Sequence, residues 1–412
     1  MERKMGEPSL KRAVTLPYLI FYGAGNIIGA GIYVLIGKIA QISGYYAPFS
    51  FILACFAVLF TALCYAELAA RYPYASAEAY YLERAFSLPK ISTVVGFIII
   101  ITGILSSSAI ISGFYGYLKP LHDIGEFTTE FLILLFLTGI AIWGIKESVM
   151  LTTLFTLIEI FGLLLIIFYG FVSIDIENID FKRYIPPLDF DVWIHIALGS
   201  FLAFYAFIGF EDIVKLSEEA VDVQKTIPRA IIITLILVTL LYILVAFISV
   251  TTLDPQSLGE SDAPLDEVFK KLTGDKYHIL SIIALFAIVN GVLVQIIMVS
   301  RMLYGLAKQK ALPRFLATIH PYTRTPIYAT IITGLLILLF AYFIDLVKLA
   351  ELTSYGIFIV FILINITLIK IKKKEPNFSG FQISLFIPYI AIFINATLLL
   401  LKLFWDLLKI GT

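Results

Sequence analysis

Histidine, cysteine and tryptophan are scarce in this 412-residue chain, at four, two and three residues. The histidines, His122, His195, His278 and His320, are scattered, and no metal-ligand spacing appears. Cys55 and Cys64 lie nine residues apart in one apolar run that reads as a helix. At about 100° per residue they point to opposite faces, which excludes a disulfide within that helix. Charge is thin as well: 15% of residues, against about 25% in a soluble globular chain. The 30 basic and 30 acidic residues balance, and no basic stripe is long enough to follow a phosphate backbone. Nucleic acid, a bound metal and a cofactor are therefore not expected. HExxH, GxSxG and paired intramembrane aspartates are missing, so no enzyme is expected. No filter-like sequence suggests a channel.

What is present is hydrocarbon. Hydrophobic residues make up 60% of the chain, and the mean hydropathy is +0.96. Such a chain reads as an all-α integral membrane protein. Apolar runs of about 20 residues predict eleven spans: 14–40, 47–71, 91–118, 130–146, 151–172, 192–213, 229–251, 278–306, 326–344, 347–370 and 382–405. With the N-terminus inside, 20 of the 30 lysines and arginines fall in inner segments, which predicts a cytoplasmic N-terminus and an outer C-terminus. The basic N-terminus leads into a run too long for a signal-peptide core, so it is expected to be a retained first span. Ten spans divide into two sets of five of opposite orientation, a hallmark of one class of secondary transporter. The expected units are 13–174, 190–372 as the inverted second repeat, and 380–407 as one additional helix.

Within the first span, "FYGAGNIIGAGIYVLIG" (21–37) carries five glycines. Each costs a helix interior roughly 0.5–1 kcal/mol relative to alanine. Two readings follow. Gly25 and Gly29 form a GxxxG, which marks close helix packing. Alternatively, the glycines let the backbone leave the helix in mid-membrane, where freed N–H groups bind a carboxylate and freed carbonyls bind an ammonium. The sixth span, "ALGSFLAFYAFIGFEDIVKLSEEA", would be its counterpart, with Gly209 followed by Glu211 and Asp212.

Four segments in order favour the second reading. They are "GNIIGAGIYVLIG", "CYAELAARYPYASAEAY", "FYAFIGFEDIVKLSEEAVDVQKTIPRAI" and "SRMLYGLAKQKALPRFLATIHPYTRTP". With them the chain resembles the amino acid–polyamine–organocation superfamily of transporters over nearly its whole length. The resemblance implies a LeuT-like 5+5 inverted repeat with spans 1 and 6 broken, a fold that is a general example of broken transporter helices. It further implies a secondary-active amino acid permease of the cell membrane, working by alternating access. In such a protein the backbone at Ile27, Ile28, Gly29, Ala30 and Gly31 holds the substrate's α-carboxylate and part of its amine. Carbonyls near Tyr205, Ala206, Ile208 and Gly209 complete the amine site; Phe204, Tyr205 and Phe207 are candidates to wall or gate the side chain, with plain packing as the alternative, and Ser107 with its neighbours Ser106 and Ser108 either lines the pocket or only makes helix contacts.

Ionisable residues inside spans are costly and need a reason. Glu67 is expected to brace Arg71 or a neighbouring loop. Glu211 and Asp212 are candidates for an inner gate, with Arg301 as a partner. Glu159, in "FTLIEIFGLLLII", has apolar neighbours and is a candidate for coupling. Some proton-coupled relatives resemble this segment but carry a lysine there, so their mechanism does not carry over. Sodium-coupled members use hydroxyl side chains on span 8, where this chain has Val289 and Asn290. Sodium is thus disfavoured, leaving proton symport or exchange. No unambiguous acid is expected in the side-chain pocket, which points to neutral amino acids. The alternative is a cationic amino acid or polyamine substrate, which Glu211 keeps open.

Overall fold

Each expected span overlaps helix in the computed structural model, which describes residues 14–74, 77–87, 89–143, 145–175, 180–217, 220–323 and 325–410; the sixth, 192–213, is interrupted by turns over 206–211. The basic residues Arg3, Lys4, Lys11, Arg12 and Arg324, which entered the charge count, lie outside the described residues. Among the described residues fifteen α-helices run α1 (Leu16–Ser43), α2 (Ala47–Arg71), α3 (Ala77–Phe86), α4 (Pro89–Leu118), α5 (Glu126–Trp143), α6 (Ile145–Ser173), α7 (Phe190–Tyr205), α8 (Asp212–Lys215), α9 (Val223–Thr252), α10 (Pro255–Glu260), α11 (Pro264–Thr273), α12 (Ile279–Lys308), α13 (Ile327–Phe343), α14 (Leu346–Lys374) and α15 (Phe386–Ile410). Among the described residues no strand forms, only a single bridge between Val14 and Ala220. Eight described segments are long and apolar enough to cross a membrane; Leu16–Gly29, Phe190–Tyr205 and Ile327–Phe343 are shorter apolar helices.

Local chemistry sets the ends. Pro17 and Pro48 stand in the first turns of α1 and α2, where a missing N–H costs no hydrogen bond. Asp189 and Asp345 cap α7 and α14 by accepting backbone N–H bonds. Three helices lie outside the expected spans. α3 follows the second span, and α10 and α11 fill the stretch between α9 and α12. Short amphipathic helices of this kind leave little hydropathy signal.

α1 sits at the centre, packed on α6, α7, α9, α10 and α12. α4 packs on α12 and α14, and α2 on α7 and α9, while α15 lies on α2 and α14. Side chains on the outside are apolar, such as Phe136 on α5 and Phe404 on α15, 61% and 65% exposed, as a bilayer solvent allows. Glu67 lies fully buried inside the bundle. It accepts from Arg71 Nη2 at 2.7 Å, Lys372 Nζ at 2.8 Å and the Ile383 N–H at 2.8 Å. It thus braces Arg71 and the segment before α15, and through Lys372 it also ties α2 to α14.

Candidate functional site

Two helices lose their regularity beside each other. α1 departs from helical geometry at Gly29, with φ −15° and ψ −156°. α7 stops at Tyr205, and the chain continues through tight turns to α8. Gly209 in that turn has φ 124°, and a Cβ there would stand 2.6 Å from the Asn26 carbonyl oxygen, so only glycine fits. Gly31 meets the other segment as closely: its Cβ would stand 2.8 Å from Ala206 Cα.

Between the breaks lies a cavity of about 540 Å³, including its open side. Ile27, Gly29 and Gly31 line it from α1, and Tyr205, Ile208 and Gly209 from the second break. Ser106 joins them from α4, and Asn290 and Gln295 from α12. A polar rim around freed backbone suits a small zwitterion.

Other anticipated residues are placed differently. Ser107 is fully buried and donates to the Gly103 carbonyl one turn back, while Ser106 bonds Tyr205 Oη at 3.0 Å. The cavity wall therefore falls to Ser106, one residue earlier on the helix face. Phe204 is fully buried against Phe358, ring centroids 3.9 Å apart, and Phe207 packs on Tyr242 and Phe51. Neither phenylalanine is among the residues that line the cavity. Ile28 is fully buried away from it. Ala30 is helical, and its side chain lies outside the described residues. The Ala206 carbonyl is already engaged, as is that of Ile27: both lie within hydrogen-bond distance of Tyr242 Oη, at 3.0 and 2.9 Å.

Tyr242 escaped sequence reasoning. The signal was a lone hydroxyl inside the apolar run "LLYILVAF". Fully buried on α9, it holds the freed carbonyls of both breaks together. Tyr33 and Tyr117 extend this pattern: Tyr33 Oη donates to the Glu159 carbonyl at 2.6 Å, and Tyr117 Oη to the Tyr33 carbonyl at 2.5 Å.

The charged candidates gather in part. Asp212 accepts from Lys215 Nζ at 2.5 Å and from Asn26 Nδ2 at 3.3 Å, linking α8 to the broken stretch of α1. Glu211 folds back to accept the Gly209 N–H at 2.9 Å. Arg301 is exposed and pairs with neither acid among the described residues. Lys215, one turn along the same helix as Asp212, is the cation paired with it. Glu159 is fully buried on α6; its Oε1 accepts from Asn290 Nδ2 at 2.8 Å, and its Oε2 has no partner. Asn290 Oδ1 is likewise unpaired. Thr156, one turn before Glu159, stands where a Cβ on Gly25 would be, which brings this pair against α1.

Comparison with known proteins decides the family. The amino acid permease family model matches residues 15–406. The chain belongs to the amino acid permease family. Membership places it in the amino acid–polyamine–organocation superfamily, as the four ordered segments implied. The chain is 28% identical over 396 residues to the branched-chain amino acid permease BcaP of Bacillus subtilis, covering 90% of this chain and 83% of that protein. It is 28% identical to a methylthioribose transporter of the same organism, covering 93% and 86%. It is 26% identical to the mitochondrial cationic amino acid transporter 3 of Arabidopsis thaliana, covering 89% of this chain and 63% of that protein. The chain thus spans under two thirds of the plant transporter's length. This permease is a multi-pass membrane protein, and its family and relatives are transporters.

Proposed function

We propose that this chain is a secondary-active amino acid permease of the cell membrane that works by alternating access. Its eleven spans would form two inverted five-helix repeats, 13–174 and 190–372, plus α15, with the N-terminus in the cytoplasm. The substrate's α-carboxylate meets N–H groups at the Gly29–Gly31 stretch, and its α-ammonium meets carbonyls and hydroxyls across the cavity. The observation that carries this reading is the pair of adjacent helix breaks around one cavity. Asp212 and Lys215, joined to Asn26, serve as the inner gate between the breaks.

Proton-coupled symport or exchange is the proposed mode, with Glu159 as the exchanging group. Its unpaired Oε2 and its bond to Asn290 place it between α6 and α12, beside the broken stretch of α1. Protonation that weakens this contact biases one conformation if the two states bind the proton differently. Neutral amino acids remain one substrate reading, supported by the name of the bacillus relative. The second, cationic reading has its own support: Asp212 lines the cavity, where no acid was expected. Several relatives are also named for cationic amino acids. Glu159→Gln tests the coupling in proteoliposomes. Uptake by the variant should lose its response to an imposed pH gradient while exchange of internal for external substrate survives. Gradient dependence like the wild type's would reduce Glu159 to a structural role.

A further inference from the structure

The space at the break does not end at Gly209. A second cavity of about 500 Å³, again including its open side, adjoins the first, and Ser106, Ile208, Gly209, Asp212 and Gln295 line both. Its walls combine two chemistries. Met298, Ile357, Val360 and Phe361 supply apolar surface. Glu78, Glu211, Asp212 and Lys215 set three carboxyl groups against one ammonium, and that ammonium already lies 2.5 Å from Asp212. At the junction, Gln295 Oε1 is buried and accepts no hydrogen bond. Buried acceptors without a donor are few in folded proteins, and each one asks for an explanation. Glu78 reaches the same wall from α3, outside the expected spans, and is 8% exposed.

An apolar sleeve ending in acceptors has a defined complement. A purely aliphatic side chain would leave Gln295 Oε1 unpaired and dry the carboxyl groups without a counter-charge. An acidic side chain would be repelled. An aliphatic stem with a nitrogen donor at its end satisfies both surfaces. We propose that the second cavity is a side-chain subsite for amino acids with a terminal cationic nitrogen, in which Gln295 accepts a hydrogen bond from the side chain and Glu78 and Glu211 offset its charge. The subsite rests on the permease reading, since the α-ammonium and α-carboxylate must sit at the break for the side chain to pass Gly209.

Lysine and norleucine share a four-carbon stem and differ in the terminal nitrogen, so they isolate the subsite. Ligand-dependent thermal shifts of the detergent-purified full chain give both affinities, with alanine as the stemless reference. The wild type should bind lysine about 10- to 100-fold tighter than norleucine, the range expected for a hydrogen bond to a charged group. Gln295→Leu and Glu78→Gln should each lower that ratio. Gln295→Glu, which keeps the shape and adds charge, should raise it, so a poorly folding leucine variant does not decide the matter. Equal affinities in the wild type, or a ratio that none of the three substitutions moves, overturn the subsite while alanine and norleucine binding leaves the permease reading standing. If no amino acid binds at all, the permease reading itself fails and the subsite falls with it.

Discussion

A single added methyl separates two things that the glycines of α1 do. At Gly31, a Cβ would stand 2.8 Å from Ala206 Cα and 3.1 Å from its Cβ. Ordinary contact begins near 3.4 Å, so α1 and the end of α7 would have to part by about 0.6 Å. Overpacking of this kind costs about 1–3 kcal/mol, while alanine's better helix propensity returns about 0.5–1 kcal/mol. Overpacking wins, and Gly31→Ala should lose about 1 kcal/mol of stability. At Gly29 a Cβ would meet nothing within 4 Å, and the residue lines the cavity. Gly29→Ala should therefore hold stability within about 0.5 kcal/mol while its methyl occupies ligand space. Unfolding temperatures of the purified variants, with and without a panel of amino acids, read both effects. Gly31→Ala should unfold earlier without ligand and bind more weakly. Gly29→Ala should keep the unliganded temperature and lose the ligand-induced shift. A full shift in Gly29→Ala would refute the reasoning, because the open space at Gly29 would then not be where the ligand sits.

Tyr242→Phe keeps the ring packing against Phe51 and Phe207 and removes one proton shared between two carbonyls. One hydroxyl donates once at a time, so the loss is about 1–3 kcal/mol; equilibrium dialysis should show weakened amino acid binding, and an unchanged affinity would remove Tyr242 from the site. Glu67→Gln leaves two partly or fully buried cations, Arg71 and Lys372, without their carboxylate. Breaking a buried pair costs about 3–5 kcal/mol, so size-exclusion profiles in detergent should show aggregation that the double variant Glu67→Gln/Lys372→Met partly relieves, and a wild-type profile for the single variant would contradict this.

The helical fold was legible because hydropathy reports lipid contact directly, and ten of the eleven expected runs each hold one helix with only end shifts. The sixth run, 192–213, is also helical but is split into α7 and α8 by the turn at Gly209. The position of the first break was legible too, since five clustered glycines in an apolar run have few explanations. The site's side chains were harder to read. Ser106 and Ser107 are adjacent, and only helix rotation decides which faces the cavity; composition carries no such phase. Phe204 looked like a gate because it borders the break, yet its ring faces α14 and stacks on Phe358. Tyr242 and Gln295 lie 31 or more residues from either break in sequence and join it only through packing of α9 and α12 on α1. Arg301, the partner expected from the base of span 8, pairs with neither acid among the described residues. The short α8 instead places Lys215 three residues from Asp212 on one helix face.

The central claim is that freed backbone between two broken helices recognises both charged ends of an amino acid. Its most direct test is the binding of alanine, alanine methyl ester and N-acetylalanine to the purified wild-type chain by thermal shift or equilibrium dialysis. The ester lacks the carboxylate and the acetyl derivative lacks the ammonium, while the side chain is unchanged. Alanine should bind, and each derivative should bind at least about tenfold more weakly, the equivalent of one lost charge-assisted hydrogen bond. Derivatives that bind as tightly as alanine would contradict the account, because the cavity at Gly29 and Gly209 would then not be reading a zwitterion.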